Sequence, residues 1–378
     1  MKRSQALDVV RGIAVILVLI WHYMPRTSAT PEFLITSTRL FWSGVDLFFV
    51  LSGFLIAGVL LQNVNSKNYF SAFYIRRAAR IVPVYVVVFF MLVAVIYLAP
   101  KLGADYLTKT VSEHLPLWSY LTFTQNFLYA ASDRMNDPWI DVTWSLAVEE
   151  QFYIFLSLLV RNLSKKKLLI SASALIVMAP VLRFYATNGM VAYVLPFHRA
   201  DALMFGVLLA LAWQNEKGKE FLYKHASLFR WSCFFLFLVI VYLTYQAPRI
   251  WDISFILALF YCNFIVLVLI RNGDTSRFDP FKSRILEWFG LRSYGIYLLH
   301  KPILILIPFA LAWFLHNDLS TWTDIVISTI VLFVVSEVSY RLLEKPIMSW
   351  GHRFKYEQIP ADNWEGNRLD PTVMTKNS

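Results

Sequence analysis

Apolar runs of about 17–25 residues recur along the chain, each long enough to cross the hydrocarbon core of a bilayer as a helix. Inside that core every backbone N–H and C=O must bond internally, so only helices and closed barrels can span it. A barrel would need short segments of alternating polarity, and these are absent. The expected fold class is therefore an all-α polytopic membrane protein. Composition agrees, with 58% hydrophobic and 16% charged residues against roughly a quarter charged in soluble domains. The runs predict ten transmembrane helices, at about 9–25, 44–62, 82–100, 142–160, 168–187, 196–213, 229–247, 252–270, 287–314 and 323–343. The ninth is long enough to tilt or to break near Pro302 or Pro308.

The net charge of +10 reads as topology rather than as a nucleic-acid footprint. With the N-terminus inside, Lys2, Arg3, Arg76, Arg77, Arg80, Lys165–Lys167, Lys217, Lys219 and similar residues give the inner side 18 cations against 7 on the outer side. Both termini are then cytoplasmic by the positive-inside rule. The start MKRSQALD leads into an apolar run without a small-residue cleavage pattern, so the first span is expected to be retained. Cys233 and Cys262 both lie in apolar spans, which suggests neither a disulfide framework nor a metal site. The connection 101–141 is the longest on the outer side. Its aromatic middle, HLPLWSYLTFTQNFLY, is expected to pack as a re-entrant or interfacial piece. Two regions are expected: a membrane domain over 1–350 and a polar, disordered cytoplasmic tail over 351–378.

Within the first run, LDVVRGIAVILVLIWH, Arg11 and His22 stand eleven residues apart. That step is close to three helical turns, so both fall on one helix face about 16 Å apart. A cation and an imidazole are costly in a membrane helix unless they face a protein interior or a watery cavity. Helix direction converts sequence position into depth. His22, Asp46, Glu149 or Glu150, Asp201 and His300 then share an outer-half layer, and Arg11, Arg76, Arg77, Arg80 and Arg341 a cationic layer at the cytoplasmic face. Carboxylates beside imidazoles suit general base catalysis. Clustered guanidinium groups suit phosphates, which they grip through paired hydrogen bonds. A cytosolic phosphate-bearing donor reaching toward an outer-facing base accounts for both layers.

Each residue also has a purely structural reading. His22, between Trp21 and Tyr23, fits an interfacial aromatic belt, and Arg11 could snorkel to headgroups beside Asp8. The arginines could only set topology. Glu149 and Glu150, about 100° apart on the helix, could pin helices together. His300, before Lys301 and Pro302, could fill a helix break, and Ser52-Gly53 reads mainly as close helix packing.

The same residues carry a family likeness. LDVVRGIAVILVLIWH resembles the opening signature of the acyltransferase family 3 membrane proteins, an Arg-(ten residues)-His pair. In chain order, GVDLFFVLSGFLI (44–56) resembles the second-helix motif and FYIRRAARIVPVY (73–85) the arginine-rich loop with its proline. WSLAVEEQFYIF (144–155) resembles the tryptophan-serine-leucine and glutamate motif, and SYGIYLLHKPIL (293–304) with SYRLLEKPI (339–347) the closing pair. The likeness covers about residues 5–350.

Proteins of that family move an acyl group, usually acetyl from acetyl-CoA, onto a hydroxyl of a surface polysaccharide such as lipopolysaccharide, a lipid-linked sugar or a small molecule. The resemblance implies Arg11 and His22 as the catalytic pair, with Glu149 or Glu150 fixing the imidazole, and a transient acyl-histidine as alternative chemistry. It places Arg77 and Arg80, with Arg76 or Arg341, near the CoA phosphates. Acetyl-CoA is then a co-substrate, no metal is needed, and the protein is multi-pass in a bacterial cytoplasmic (inner) membrane. A glycan or lipid-linked sugar is the partner, a homo-oligomer is left open, and a succinyl donor would call on Arg183 or Arg199. Longer relatives add an outer hydrolase-like domain; ending at 378, this chain would pass acyl groups to one only as a separate partner. The rival from another class is a transporter or flippase of a lipid-linked or anionic substrate, which would more often show two related halves with broken helices.

Overall fold

The structure is a computed structural model that describes residues 4–27, 30–135, 137–246, 253–271, 280–316 and 320–358. Among these, ten helices have 15 residues or more: α1 (Gln5–Tyr23), α2 (Gly44–Gln62), α3 (Tyr69–Leu98), α4 (Thr143–Asn162), α5 (Lys165–Phe184), α6 (Ala200–Gln214), α7 (Ala226–Gln246), α8 (Ser254–Arg271), α9 (Arg284–Leu315) and α10 (Thr321–Ser339). Each overlaps one of the expected runs. Eight are long and apolar enough to cross a membrane; α4 and α6 are not among them. The former carries Glu149, Glu150 and Arg161, and the latter has only 15 residues. The protein is an all-α polytopic membrane protein.

The helices pack through small residues where backbones meet. A Cβ on Gly53 of α2 would lie 1.9 Å from the Leu203 carbonyl oxygen of α6, and one on Gly206 would lie 2.1 Å from that of Val50. Only glycine permits this approach. Helix α1 lies along α9, and α7 packs on α8 while exposing Trp231, Phe234, Phe235 and Phe237. An apolar face of that extent suits lipid contact.

Three features depart from the sequence expectation. Helix α3 starts at Tyr69, thirteen residues before the expected boundary, so the arginine-rich segment is the first part of a helix rather than a loop. Pro83 sits inside it, and nearby the Tyr294 hydroxyl donates to the Ile81 carbonyl. Helix α9 runs unbroken through Pro302 and Pro308. The start of the expected disordered tail is instead docked, because its backbone finds polar partners beside α3. Asn68 donates to the Lys355 carbonyl and accepts from the Glu357 N–H, and Ser66 forms an antiparallel bridge with Gln358. The rest of that tail, with Lys2, Arg3, Arg249 and Arg277, lies outside the described residues.

The 101–141 connection folds into three short helices, Asp105–Thr110, Leu117–Leu121 and Gln125–Ser132, with Tyr120, Tyr129, Trp139 and Ile140 buried. Gln151 of α4 donates to the Phe123 carbonyl and to Asn126, tying the segment to the bundle. Asp137 anchors its end by accepting from the Tyr120 hydroxyl at 2.7 Å and the Trp139 N–H at 3.2 Å.

Candidate functional site

Arg77 and Arg80 stand three residues apart on α3, hence on one face, and α1 brings Arg11 to meet them. These three guanidinium groups line two adjoining cavities. The first opens at the end of the bundle where Ser4 and His352 meet, so the first and last described segments share that mouth. Arg11 is fixed by Asp8, one turn away at 2.7 Å. Arg77 lies over the Tyr153 ring, 5.6 Å from its centre. Burial first, then Arg76, Arg77 and Arg80, push the His352 imidazole below its ordinary value, the electrostatic signature of an anion-attracting mouth.

The second cavity runs deeper, past Ser52, Glu149, Tyr153, Ser145 and Tyr297. Glu149 accepts hydrogen bonds from Ser52 at 2.9 Å and from Tyr153 at 2.7 Å. The two glutamates are thereby told apart. Glu149 faces the cavity, whereas Glu150 has a buried carboxylate oxygen without a hydrogen-bond partner and does not line it.

His22 lines a third cavity, with Trp21, Trp42, Trp144, Tyr193, Met135 and Asp141. This cavity shares Val45 and Tyr297 with the second, so the cavities adjoin one another in series from the arginine end to His22. The carboxylate at the His22 cavity is Asp141, which accepts from Lys301 at 2.7 Å. The expected contact between Glu149 or Glu150 and the His22 ring is not among the hydrogen bonds of the described residues, where Glu149 is committed to Ser52 and Tyr153 in the neighbouring cavity. His300 does join His22, with ring centres 4.9 Å apart.

Other expected site residues are engaged elsewhere. Asp46 pairs with Arg199, which also donates to Ser254, and Asp201 pairs with Arg183; all four charged side chains are buried. Arg341 shares Glu337 with Arg292 on an exposed groove between α9 and α10. Arg76 donates to the Phe354 carbonyl and lies over Tyr356, so it holds the docked tail. Sequence reasoning missed Asp141, Lys301, Tyr153 and Tyr297. A lysine inside an apolar helical run was a usable signal for Lys301. Ser52-Gly53 divides its roles: Gly53 packs helices, as expected, and Ser52 lines the second cavity. No group of three His, Cys, Asp or Glu side chains suited to a metal occurs among the described residues.

Comparison with known proteins adds three findings. Residues 4–341 match the acyltransferase family 3 model, described as "Acyltransferase domain". The chain is 28% identical to a protein of Staphylococcus aureus (strain MRSA252) named "Putative O-acetyltransferase", over 98% of this chain and 60% of that protein. It is 29% identical to the peptidoglycan O-acetyltransferase OatA of Listeria monocytogenes, over 93% of this chain and 56% of that protein. The chain spans less than two thirds of the length of these relatives. No solved structure matches it.

Proposed function

Since the chain belongs to acyltransferase family 3, we propose that it is a membrane O-acyltransferase moving a short acyl group, acetyl first among them, from acyl-CoA to a sugar hydroxyl. The acceptor is a surface polysaccharide or lipid-linked sugar, and the protein sits in a bacterial cytoplasmic membrane with the arginine mouth facing the cytoplasm. One observation carries this reading: adjoining cavities lead from Arg11, Arg77 and Arg80 to His22. Guanidinium groups at the mouth hold the CoA phosphates. The helical step of about 16 Å from Arg11 to His22 is a distance that an extended pantetheine arm covers.

In the His22 cavity the indole and phenol faces of Trp21, Trp42, Trp144 and Tyr193 offer flat apolar surfaces for a sugar ring. His22 removes the acceptor's proton as the hydroxyl oxygen attacks the thioester carbonyl. The C–S bond then breaks and CoA departs as thiolate, which is protonated to the thiol. The relative named for peptidoglycan O-acetylation supports a glycan acceptor.

The test is acetyl-CoA binding to purified, detergent-solubilised protein, beside an Arg77→Ala/Arg80→Ala variant. Micromolar binding that weakens tenfold or more in the variant supports the donor assignment. Folded wild-type protein that binds no acyl-CoA would overturn it and favour a transporter working through the same cavities.

A further inference from the structure

Each imidazole of the His22–His300 pair bonds through Nδ1 to its own helix in the resting protein. His22 Nδ1 lies 2.9 Å from the Val18 carbonyl oxygen, one turn back on α1. His300 Nδ1 lies 2.6 Å from the Tyr297 carbonyl oxygen on α9. A carbonyl can only accept, so in both rings Nδ1 carries the proton and Nε2 presents a lone pair. The pairing of the two helices is itself anchored here, since the Tyr23 hydroxyl donates to the His300 carbonyl at 3.0 Å.

His300 is fully buried, and its Nε2 has no hydrogen-bond partner. An acceptor left bare in a protein interior is unfavourable. Neighbouring groups do not relieve it: Lys301 is turned to Asp141, and Tyr23 and Tyr297 present rings. The nearest ring is that of His22, 4.9 Å away between centres, whose Nε2 in the neutral form carries a lone pair and no proton.

We propose that His300 Nε2 is the hydrogen-bond acceptor for His22 in its protonated state, so that the base is a two-imidazole unit rather than a histidine–carboxylate pair. This rests on the reading of His22 as general base. When the acceptor hydroxyl gives its proton to His22 Nε2, the new N–H first points at the acceptor oxygen, and a rotation of the ring that gives up the Val18 contact turns it to His300 Nε2. The unmet acceptor in the resting protein is then satisfied in the state that follows proton transfer. His300 does not touch substrate in this scheme; it is a positioning residue that acts through His22.

The two variants that separate this from a packing role are His300→Gln and His300→Met, which are similar in length. Glutamine keeps a good acceptor near the Nε2 position, and methionine offers only a weakly accepting sulfur. The readout is incorporation of radiolabelled acetyl from acetyl-CoA into the glycan and glycolipid fraction of membrane vesicles holding the full chain, with kcat and the KM for acetyl-CoA taken separately. His300→Met is expected to lower kcat tenfold or more, a part of the 10²–10⁴ that a general base supplies, with KM held within about twofold. His300→Gln is expected to stay within about threefold of wild type. Wild-type turnover by His300→Met overturns the proposal. So does loss of turnover in a His300→Gln protein that still folds and binds acetyl-CoA, a result that stands even if the methionine variant fails to fold. Normal transfer by His22→Ala would instead overturn the base assignment beneath it.

Discussion

Lys301 donates to Asp141 at 2.7 Å beside the cavity that holds His22, and the other oxygen of that carboxylate is buried without a partner. The pair therefore places one positive charge and one unused acceptor next to the proposed base. Lys301→Met removes the charge and strands the carboxylate. Acetyl transfer is expected to fall at least tenfold, about 1.4 kcal/mol, while acetyl-CoA affinity stays within about twofold, because the arginine mouth lies at the far end of the cavities. Adding Asp141→Asn should restore thermal stability without restoring turnover. Full activity in Lys301→Met would show that the pair only ties the outer connection to α9.

Asp46 and Asp201 looked like members of a catalytic layer, and their surroundings give them a different duty. Asp46 and Arg199 are each about 1% exposed, and removing one member of such a pair leaves an uncompensated buried charge costing about 3–5 kcal/mol. Arg199→Met and Asp46→Leu should each lower the yield of folded protein sharply, as read by fluorescence-detected size-exclusion chromatography. The double variant should recover most of it. A single variant that is well folded yet inactive would return Asp46 to the catalytic list.

How far the sequence carried this reading depends on which interaction fixes each group. Span positions and the shared face of Arg11 and His22 follow from hydrophobic length and the helical period, both local properties. The family motifs then placed His22 and the arginines together. What could not be read were choices settled by neighbours distant in sequence. Glu149 and Glu150 are adjacent, and only Ser52 and Tyr153 decide that Glu149 faces the cavity. Arg341 is charged and near the correct end, yet Glu337 one turn earlier draws it to another surface. Arginine-rich residues 73–80 suggested a loop because charge interrupts the apolar run, whereas the helix simply extends past the apolar stretch.

The contact between α1 and α9 sets the Arg11 end of the site. A Cβ on Gly290 would fall 1.7 Å from the Asp8 carbonyl oxygen, and backbone cannot yield there as a side-chain tip can. Gly290→Ala should therefore push the helices apart, at about 1–3 kcal/mol of overpacking. Asp8, which holds Arg11, would move with them. The expected result is a lower Tm together with weakened acetyl-CoA binding. Unchanged binding would mean that Arg11 takes little part in holding the donor.

Asp137 links pH to the packing of the outer connection. Burial pushes its carboxyl up to about 6, against the opposing hydrogen bonds from Tyr120 and the Trp139 N–H. The folded state then holds a proton that the unfolded chain has released, so stability falls as pH rises from about 4 through 6. Asp137→Asn keeps a neutral polar group and should remove this contribution. The Tm of the variant relative to wild type is expected to climb between pH 4.5 and 7, by the equivalent of on the order of 2 kcal/mol. A constant offset across that range would assign the pH dependence to other groups.

His352 provides a reporter of donor binding at the mouth that it shares with Asp8, Arg11, Arg77, Arg80, Tyr340 and Glu344. Burial and the nearby guanidinium groups disfavour its charged form in the free protein. A bound polyphosphate offsets that repulsion, so the imidazole should gain protons when acyl-CoA binds. By linkage, affinity then rises as pH falls below about 6.5, the ordinary histidine value. Calorimetry of acetyl-CoA binding in buffers of different ionisation enthalpy reads the proton uptake directly. Phosphates meeting arginines can release protons of their own, so the quantity to compare is wild type minus His352→Gln. Uptake confined to the wild-type protein places the phosphates at this mouth, and identical proton balances in the two proteins would place them elsewhere.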